Sequence, residues 1–564
     1  MHFKFQSIRL SASIRAVRVI FFISLVQLLS AISFAQSAPV GSPFIEDFAR
    51  IQQLKGKVGI NTSFSVRPLS TSEIFTDSSF QDIGLNLASK PLYQKGNYTL
   101  DLLPVSAKLQ YNSHHPFGWN DGSLIPAKGV QSQLSAGVYA KVGPLSIQLQ
   151  PEFVYAQNAA FSTFPTAHTD SVWKSYYYVL NRIDAPERFG DKRYLKFFPG
   201  QSSIRINYKK LSLGLSTENL WWGPGVRNSL LMSNNAPGFT HFTFNTTAPI
   251  ETKIGSFEGQ VISGFLNASN LFPPDTSRRF EGQPLYDPKP AGDRYINGMA
   301  VTWQPKWTKG LHLGISRAFY QYRSNIPSSL NGYMPVVTAF FKGKAKKEDA
   351  FGRDQLFSLF ARLVLPESKA EVYAEYGRND HSQNMRDLLL EPEHARAYII
   401  GGRKLFSTSR GRDLEVFLEI THLQMPQTIQ VRELQSWYIH HEIRHGYTNQ
   451  GQVIGAGIGP GGSIQTLGLN WYKGINKTGF ALERIVHNND FYYDAFAARR
   501  EFGRHWVDLA FNLNNRWVQK RFIYSANLSL IRSLNYQWQY NTALDEKVDV
   551  TNLHAAISVS YLFR

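Results

Sequence analysis

No cysteine occurs in the 564 residues, which removes disulfide frameworks, thiolate metal sites and cysteine nucleophiles together. Acid is scarce: 42 Asp and Glu stand against 60 Lys and Arg, for a formal charge of +18. The first 35 residues hold no acid at all but contain Lys4, Arg9, Arg15 and Arg18, so the remainder carries +14. Long hydrophobic runs are also missing, with one exception. Val19 to Phe34 is a largely apolar run of 16 residues, short of the ~20 that a membrane-spanning helix needs. Its basic head and the small-x-small Ser33-Phe34-Ala35 behind it mark an export signal, removed near Ala35. Nothing later approaches ~18 uninterrupted apolar residues, so no transmembrane helix is expected in the mature chain. That chain is therefore secreted, periplasmic or a membrane barrel.

What is present favours the barrel. Hydrophobic residues make up an ordinary 43%, while aromatics reach 14%. An outward apolar face, a polar lumen and two interfacial aromatic girdles produce that mixture. From about residue 100 the dominant period is two. Val507, Leu509, Phe511 and Leu513 fall on one side, opposite Trp506, Asp508 and Asn512; Asn514-Asn515 reads as a tight turn, after which Phe522 to Leu530 resume the alternation. Ile204-Ile206-Tyr208 and Leu211-Leu213-Leu215 flank a Lys209-Lys210 turn, and Leu414 to Ile420 alternate against Glu415 and Glu419. Spans of about 9–11 residues joined alternately by short turns and long loops are what barrel strands require. Backbone groups cannot stay unpaired in lipid, so such a chain closes on itself. The terminal Ile557-x-Val559-x-Tyr561-x-Phe563-Arg564 resembles the insertion signal of outer-membrane barrels, recognised by the barrel-insertion machinery.

Residues 36–95 differ. In Pro43–Leu54, Phe44, Phe48, Ile51 and Leu54 lie at helical spacing, which predicts a short amphipathic helix plugging or capping the periplasmic end; residues 96–564 make the barrel. Polar stretches near 158–200, 267–295, 317–352, 377–397 and 424–450 are candidate loops.

Two motifs fail on context. His441-Glu442-Ile443-Arg444-His445 matches HExxH, which needs a helix to bring both imidazoles to one zinc. The alternation of Trp437, Ile439, His441 and Ile443 reads instead as a strand or loop, which would hold the histidines ~13 Å apart at ~3.3 Å per residue. No metal site follows. Gly457 to Gly462 fits GxGxxG but is followed by β-like alternation, not by the helix a dinucleotide site needs, so it is a glycine-rich turn. Glu371 and Glu375 share one strand face and read as a solvated lumen wall, not a catalytic pair. No nucleophile elbow is found, so neither a catalytic residue nor a cofactor is assigned.

Several stretches resemble the Wzi family of outer-membrane capsule-assembly proteins: Asn219–Pro237 (NLWWGPGVRNSLLMSNNAP), Tyr373–Asp380 (YAEYGRND), Ser436–Leu467, and the helix-to-FSVRPL segment Glu46–Leu69. The resemblance implies an all-β, closed antiparallel barrel of about eighteen strands with a small helical periplasmic element. It also implies a lectin-like, non-enzymatic role in holding capsular or exopolysaccharide at the surface. Aromatic faces pack on sugar C–H groups, planar polar side chains meet hydroxyls, and cations meet acidic glycans. On those grounds the glycan-binding candidates are Trp221, Trp222, Arg227, Asn234, Asn235, Arg378, Asp380, Trp437, Tyr438, Arg444 and Tyr447. Girdle tryptophans and turn-forming asparagines explain the same residues without a ligand. The basic charge is dispersed, which favours an acidic polysaccharide and lipopolysaccharide or other outer-membrane lipid as partners over nucleic acid. A porin or polysaccharide channel is the competing function, and a barrel enzyme acting on lipid or glycan a third.

Overall fold

The computed structural model describes residues 36–563 apart from 43–44, 72–90, 274, 339–351, 380–384, 409–410, 427–433, 497–500, 502 and 542–543. The export signal and Asp380 therefore lie outside the described residues.

Eighteen antiparallel strands close into one barrel. They are β1 (Tyr98–Asn112), β2 (Gly129–Val142), β3 (Leu145–Leu149 resuming as Glu152–Ala156), β4 (Tyr194–Phe198 and Ser203–Tyr208), β5 (Leu211–Ser216) and β6 (His241–Thr246 and Ile250–Thr252). There follow β7 (Gly255–Leu266), β8 (Arg294–Pro305), β9 (Leu311–Tyr322), β10 (Arg353–Leu365), β11 (Ala370–Asn379) and β12 (Arg396–Ser407). The last six are β13 (Asp413–His422), β14 (Ser463–Lys473), β15 (Asn476–Val486), β16 (Val507–Gln519), β17 (Phe522–Leu534) and β18 (Val550–Tyr561). Each strand pairs with its sequence neighbour, and β18 closes the circle on β1 from Val105↔Tyr561 to Asn112↔His554. No lipid-facing sheet edge is left, as a bilayer demands.

The burial pattern is inverted relative to a soluble sheet. Leu509, Phe511, Leu513, Leu528 and Ile557 face outward and are exposed, while Asp508, Asn512, Glu415 and Glu419 face inward and are buried. Period two thus sorts apolar side chains toward lipid and polar ones toward the lumen. Connections of two to five residues, including Lys209-Lys210 with Lys209 at φ +52°, crowd one rim, and connections of 15 to 40 residues the other. One expected turn is overturned. Asn514-Asn515 lies inside β16, paired with Gly479 and Thr478 on one side and Asn527 and Ala526 on the other. The turn falls at Lys520-Arg521 because continuing the ladder satisfies every backbone group, which outweighs the turn preference of asparagine.

Helix α1 (Glu46–Leu54) lies inside the short-turn end. One side places Phe48 and Ala49 against Ile475 and Ile523, and Ile51 and Leu54 against Val364, Leu405 and Tyr472. The other carries charge. Arg50 pairs with Glu371 at 2.8 Å, Arg362 with Glu371 at 2.5 Å, and Arg403 bridges Asp47 and Glu415 at 3.3 and 3.4 Å. The wall at Glu371 and Glu375 is therefore not solvated as expected: both carboxylates are buried, Glu371 against Arg50 of the plug and Glu375 against the Leu230 backbone, whose N–H it accepts at 3.4 Å. Burial alone pushes Asp47 upward, but Lys477, Arg403 and Arg516 outweigh it and hold the carboxyl below its usual range. Burial raises Glu46 despite Arg67 beside it.

Candidate functional site

The connection between β5 and β6 does not stay at the rim. It folds down into the lumen, and Val66↔Trp222 and Arg67↔Trp221 stitch it to the chain segment behind α1. The WGPG turn is then caught by the wall. Glu419 accepts the backbone N–H groups of Val226 (2.7 Å), Arg227 (3.0 Å) and Asn228 (2.9 Å), and the Tyr373 hydroxyl at 2.8 Å. Three successive donors aimed at one carboxylate form an anion nest whose anion is supplied by the barrel itself. Arg50 donates to the Pro224 carbonyl at 2.7 Å, which ties the same turn to the plug. Gly298 stands where a Cβ would come within 2.9 Å of the Trp222 ring, so its missing side chain lets that indole reach the wall.

The connection between β13 and β14 folds in over it. Trp437, Tyr438, Ile439 and Tyr447 join Trp222, Leu230, Leu231 and Met232 in one core, backed by Ile262, Ile296, Ala318 and Tyr320 of the wall. Tyr438 and Tyr447 stack with centroids 6.0 Å apart, and the Tyr438 hydroxyl donates to the Leu230 carbonyl at 2.8 Å. The strand-like alternation expected around Trp437 is absent. Consecutive residues Trp437 to Ile439 are all buried, and Tyr438 takes φ +72°. A folded-in loop needs no period, because it is surrounded by protein on every side. His441 and His445 are on no helix, and among the described residues no cluster of three His, Asp or Glu could hold a metal. Gly457–Gly462 turns directly into β14, with Gly459 and Gly461 at positive φ.

The candidate glycan residues therefore divide. Trp222, Trp437, Tyr438 and Tyr447 are covered by protein and hold the loops together, leaving no ring face for a sugar. Trp221 is buried beneath the Arg67 guanidinium, 4.9 Å from the ring. Asn234 and Asn235 brace loops by donating to Asn120 and Val453 carbonyls, each at 2.9 Å. Arg444 joins two outer connections through the Asn181 carbonyl and Asp287. Arg378 is set apart. Tyr373, Glu375 and Gly377 take the lumen-facing positions of β11, so Arg378 stands on the opposite face, beside Arg396 in the register. Arg227 remains 36% exposed, pairs with Glu483 at 2.5 Å and lies 5.2 Å over Trp119.

These in-folded loops lean against an apolar patch of the β7–β12 wall made by Ile262, Ile296, Ala318, Tyr320 and Ile399. The wall from β16 through β18 to β1 presents Asn512, Asn514, Asn527, Ser529 and Gln110, and there a cavity of about 460 Å³ remains. The plug residues Glu46, Asp47 and Arg50 bound one end, and Trp119, Asn120, Asp121 and Arg227 the other. Trp119, Glu419 and the asparagine wall were missed in the sequence. Alternation did place Glu419 inward but could not say what it would meet.

A closed barrel whose lumen holds its own plug helix and in-folded loops is a plugged transmembrane β-barrel, with one cavity left along β16–β1 among the described residues. The capsule assembly protein Wzi family matches residues 114–517, and the chain belongs to that family. An outer-membrane protein of Escherichia coli, described as Wzi, involved in group 1 capsule assembly and a carbohydrate-binding β-barrel, is similar at 14% identity and TM-score 0.60. The match covers 94% of this chain and 100% of that one. OprB of Pseudomonas putida (13% identity, TM-score 0.36, 87% and 97% covered) and OccK2 of Pseudomonas aeruginosa (11%, 0.37, 81% and 98%) are more distant. No curated protein matches.

Proposed function

We propose that this protein is a non-enzymatic, lectin-like barrel that binds acidic capsular or exopolysaccharide and helps attach it at the cell surface. The observation that carries this is the filled lumen. Glu419, Trp222, Trp437 and Tyr438 commit the long connections to a rigid core, which suits a surface that holds a polymer and opposes bulk flow. The short-turn rim with α1 faces the periplasm, as such turns do in outer-membrane barrels, and the export signal is removed near Ala35. Lipopolysaccharide and outer-membrane lipid surround the outward apolar face, and the β18 strand is read by the insertion machinery. Polar candidates at or near the surface, Arg227 and Arg444 above all, are the first to test as glycan contacts.

The experiment is retention of acidic polysaccharide by detergent-purified barrel, paired with surface capsule on a deletion strain. Retention that falls when Arg227 and Arg444 are replaced supports the proposal. Absence of retention by the intact barrel, or large single-channel conductance in planar bilayers, overturns it in favour of a channel.

A further inference from the structure

We propose that the cavity beside the plug binds a carboxylated oligosaccharide segment, a short stretch of hexuronic acid residues, within the barrel. This rests on the glycan-binding reading above and names a site inside the lumen that it does not require. The volume, about 460 Å³, falls within the ~300–1,000 Å³ of ligand pockets. The lining suits hydroxyl-rich ligands. Asn512, Asn514, Asn527 and Gln110 supply amides along one wall, and Ser525 and Ser529 supply hydroxyls. A sugar hydroxyl both donates and accepts, and the cavity offers both. Indole Nε1 of Trp119 and Trp221, and oxygens of Asn120 and Glu46, are buried at its border without partners among the described residues.

Charge selects an acidic sugar. Among the described residues, seven Arg and Lys side chains line the cavity against five carboxylates. Lys477, Arg403 and Arg516 all reach Asp47 at 3.3–3.5 Å. Cations in excess of carboxylates inside a protein are costly until an anion joins them. Lys477, Arg403 and Arg516 all line the cavity, so a ligand carboxylate placed there meets that surplus. Arg227, 36% exposed over Trp119, stands at the outer end of the cavity.

The test is titration of the purified full chain with a trimeric oligogalacturonate, read by quenching of tryptophan fluorescence. Asn514→Leu with Asn527→Leu removes two amides that make no side-chain hydrogen bond among the described residues, and Ala556→Phe fills the cavity from the same wall. Two hydrogen bonds of about 1 kcal/mol each correspond to roughly 30-fold in affinity. We expect the double variant to bind at least 10-fold more weakly, Ala556→Phe to abolish quenching, and a neutral malto-trimer or inorganic phosphate to bind poorly. Heat-modifiable mobility confirms that each variant folds. Equal binding by the variants, or no quenching in the wild type, overturns the cavity site. If long acidic polysaccharide is still retained in that case, the surface reading stands; if it too is not retained, both fall.

Discussion

Replacing Glu419 by Gln tests the reasoning most directly. The carboxylate is buried on β13 and receives four donors: three consecutive backbone N–H groups and one tyrosine hydroxyl. Hydrogen bonds to a charged group contribute about 1.5–3 kcal/mol each, and a buried donor left unsatisfied costs about 1–3 kcal/mol. Glutamine keeps one acceptor oxygen but turns an NH₂ toward N–H groups, so at least one backbone donor must lose its partner. Allowing for the carboxylate's own desolvation cost, we expect a net loss of about 3–5 kcal/mol. The penalty falls on the in-folded turn and not on the ladder, since the β12–β13–β14 register is independent of that side chain. In Glu419→Gln the barrel should still migrate as a folded species, while trypsin cuts after Arg227 and single-channel conductance rises several-fold. Unchanged protease resistance and conductance would refute the claim that this carboxylate seats the turn.

Glu371→Gln strips two or more cations of their shared anion; a loss of about 3–5 kcal/mol in a urea unfolding midpoint is expected, with α1 becoming protease-sensitive. Gly298→Leu places side-chain atoms where the Trp222 indole lies; overpacking of about 1–3 kcal/mol should lower the temperature of loop release, with strand content by circular dichroism intact. Burial, with Arg294 adding to it, lowers His445 to about 4, and its neutral Nδ1 meets the Tyr322 hydroxyl at 3.0 Å. A folded value below the unfolded ~6.5 means that stability is full above pH 6.5 and is lost as pH falls toward 4. Protection of the 434–462 loop from protease should therefore weaken over that window, and His445→Gln should flatten that component; a variant with the same pH profile as the wild type would remove His445 from the account.

The lipid-facing half of the architecture was legible because it is local. Whether Leu509, Phe511 and Leu513 share a face depends on strand period alone, and so does the inward placement of Glu415 and Glu419. The plug helix was legible in Phe48, Ile51 and Leu54 for the same reason. The candidate glycan residues were chosen by side-chain type, which does not register burial: Trp222 and Tyr438 have sugar-binding chemistry and packing chemistry alike. Asn514-Asn515 misled because turn preference is weak beside two unbroken ladders.

From the sequence alone came export, a chain without disulfides, the outward apolar period and the family resemblance in Asn219–Pro237. Each is written within a few residues of chain. Only the tertiary structure decided what fills the barrel. Glu419 meets Arg227 across 192 positions, Arg362 meets Gln53 across 309, and Trp222 meets Gly298 through the lumen. Alternation says which way a side chain points but not what stands opposite, and in a barrel every lumen contact is made with something opposite. That is why the loop-packed wall at β7–β12 and the amide-lined cavity at β16–β1 emerged only when the ring closed.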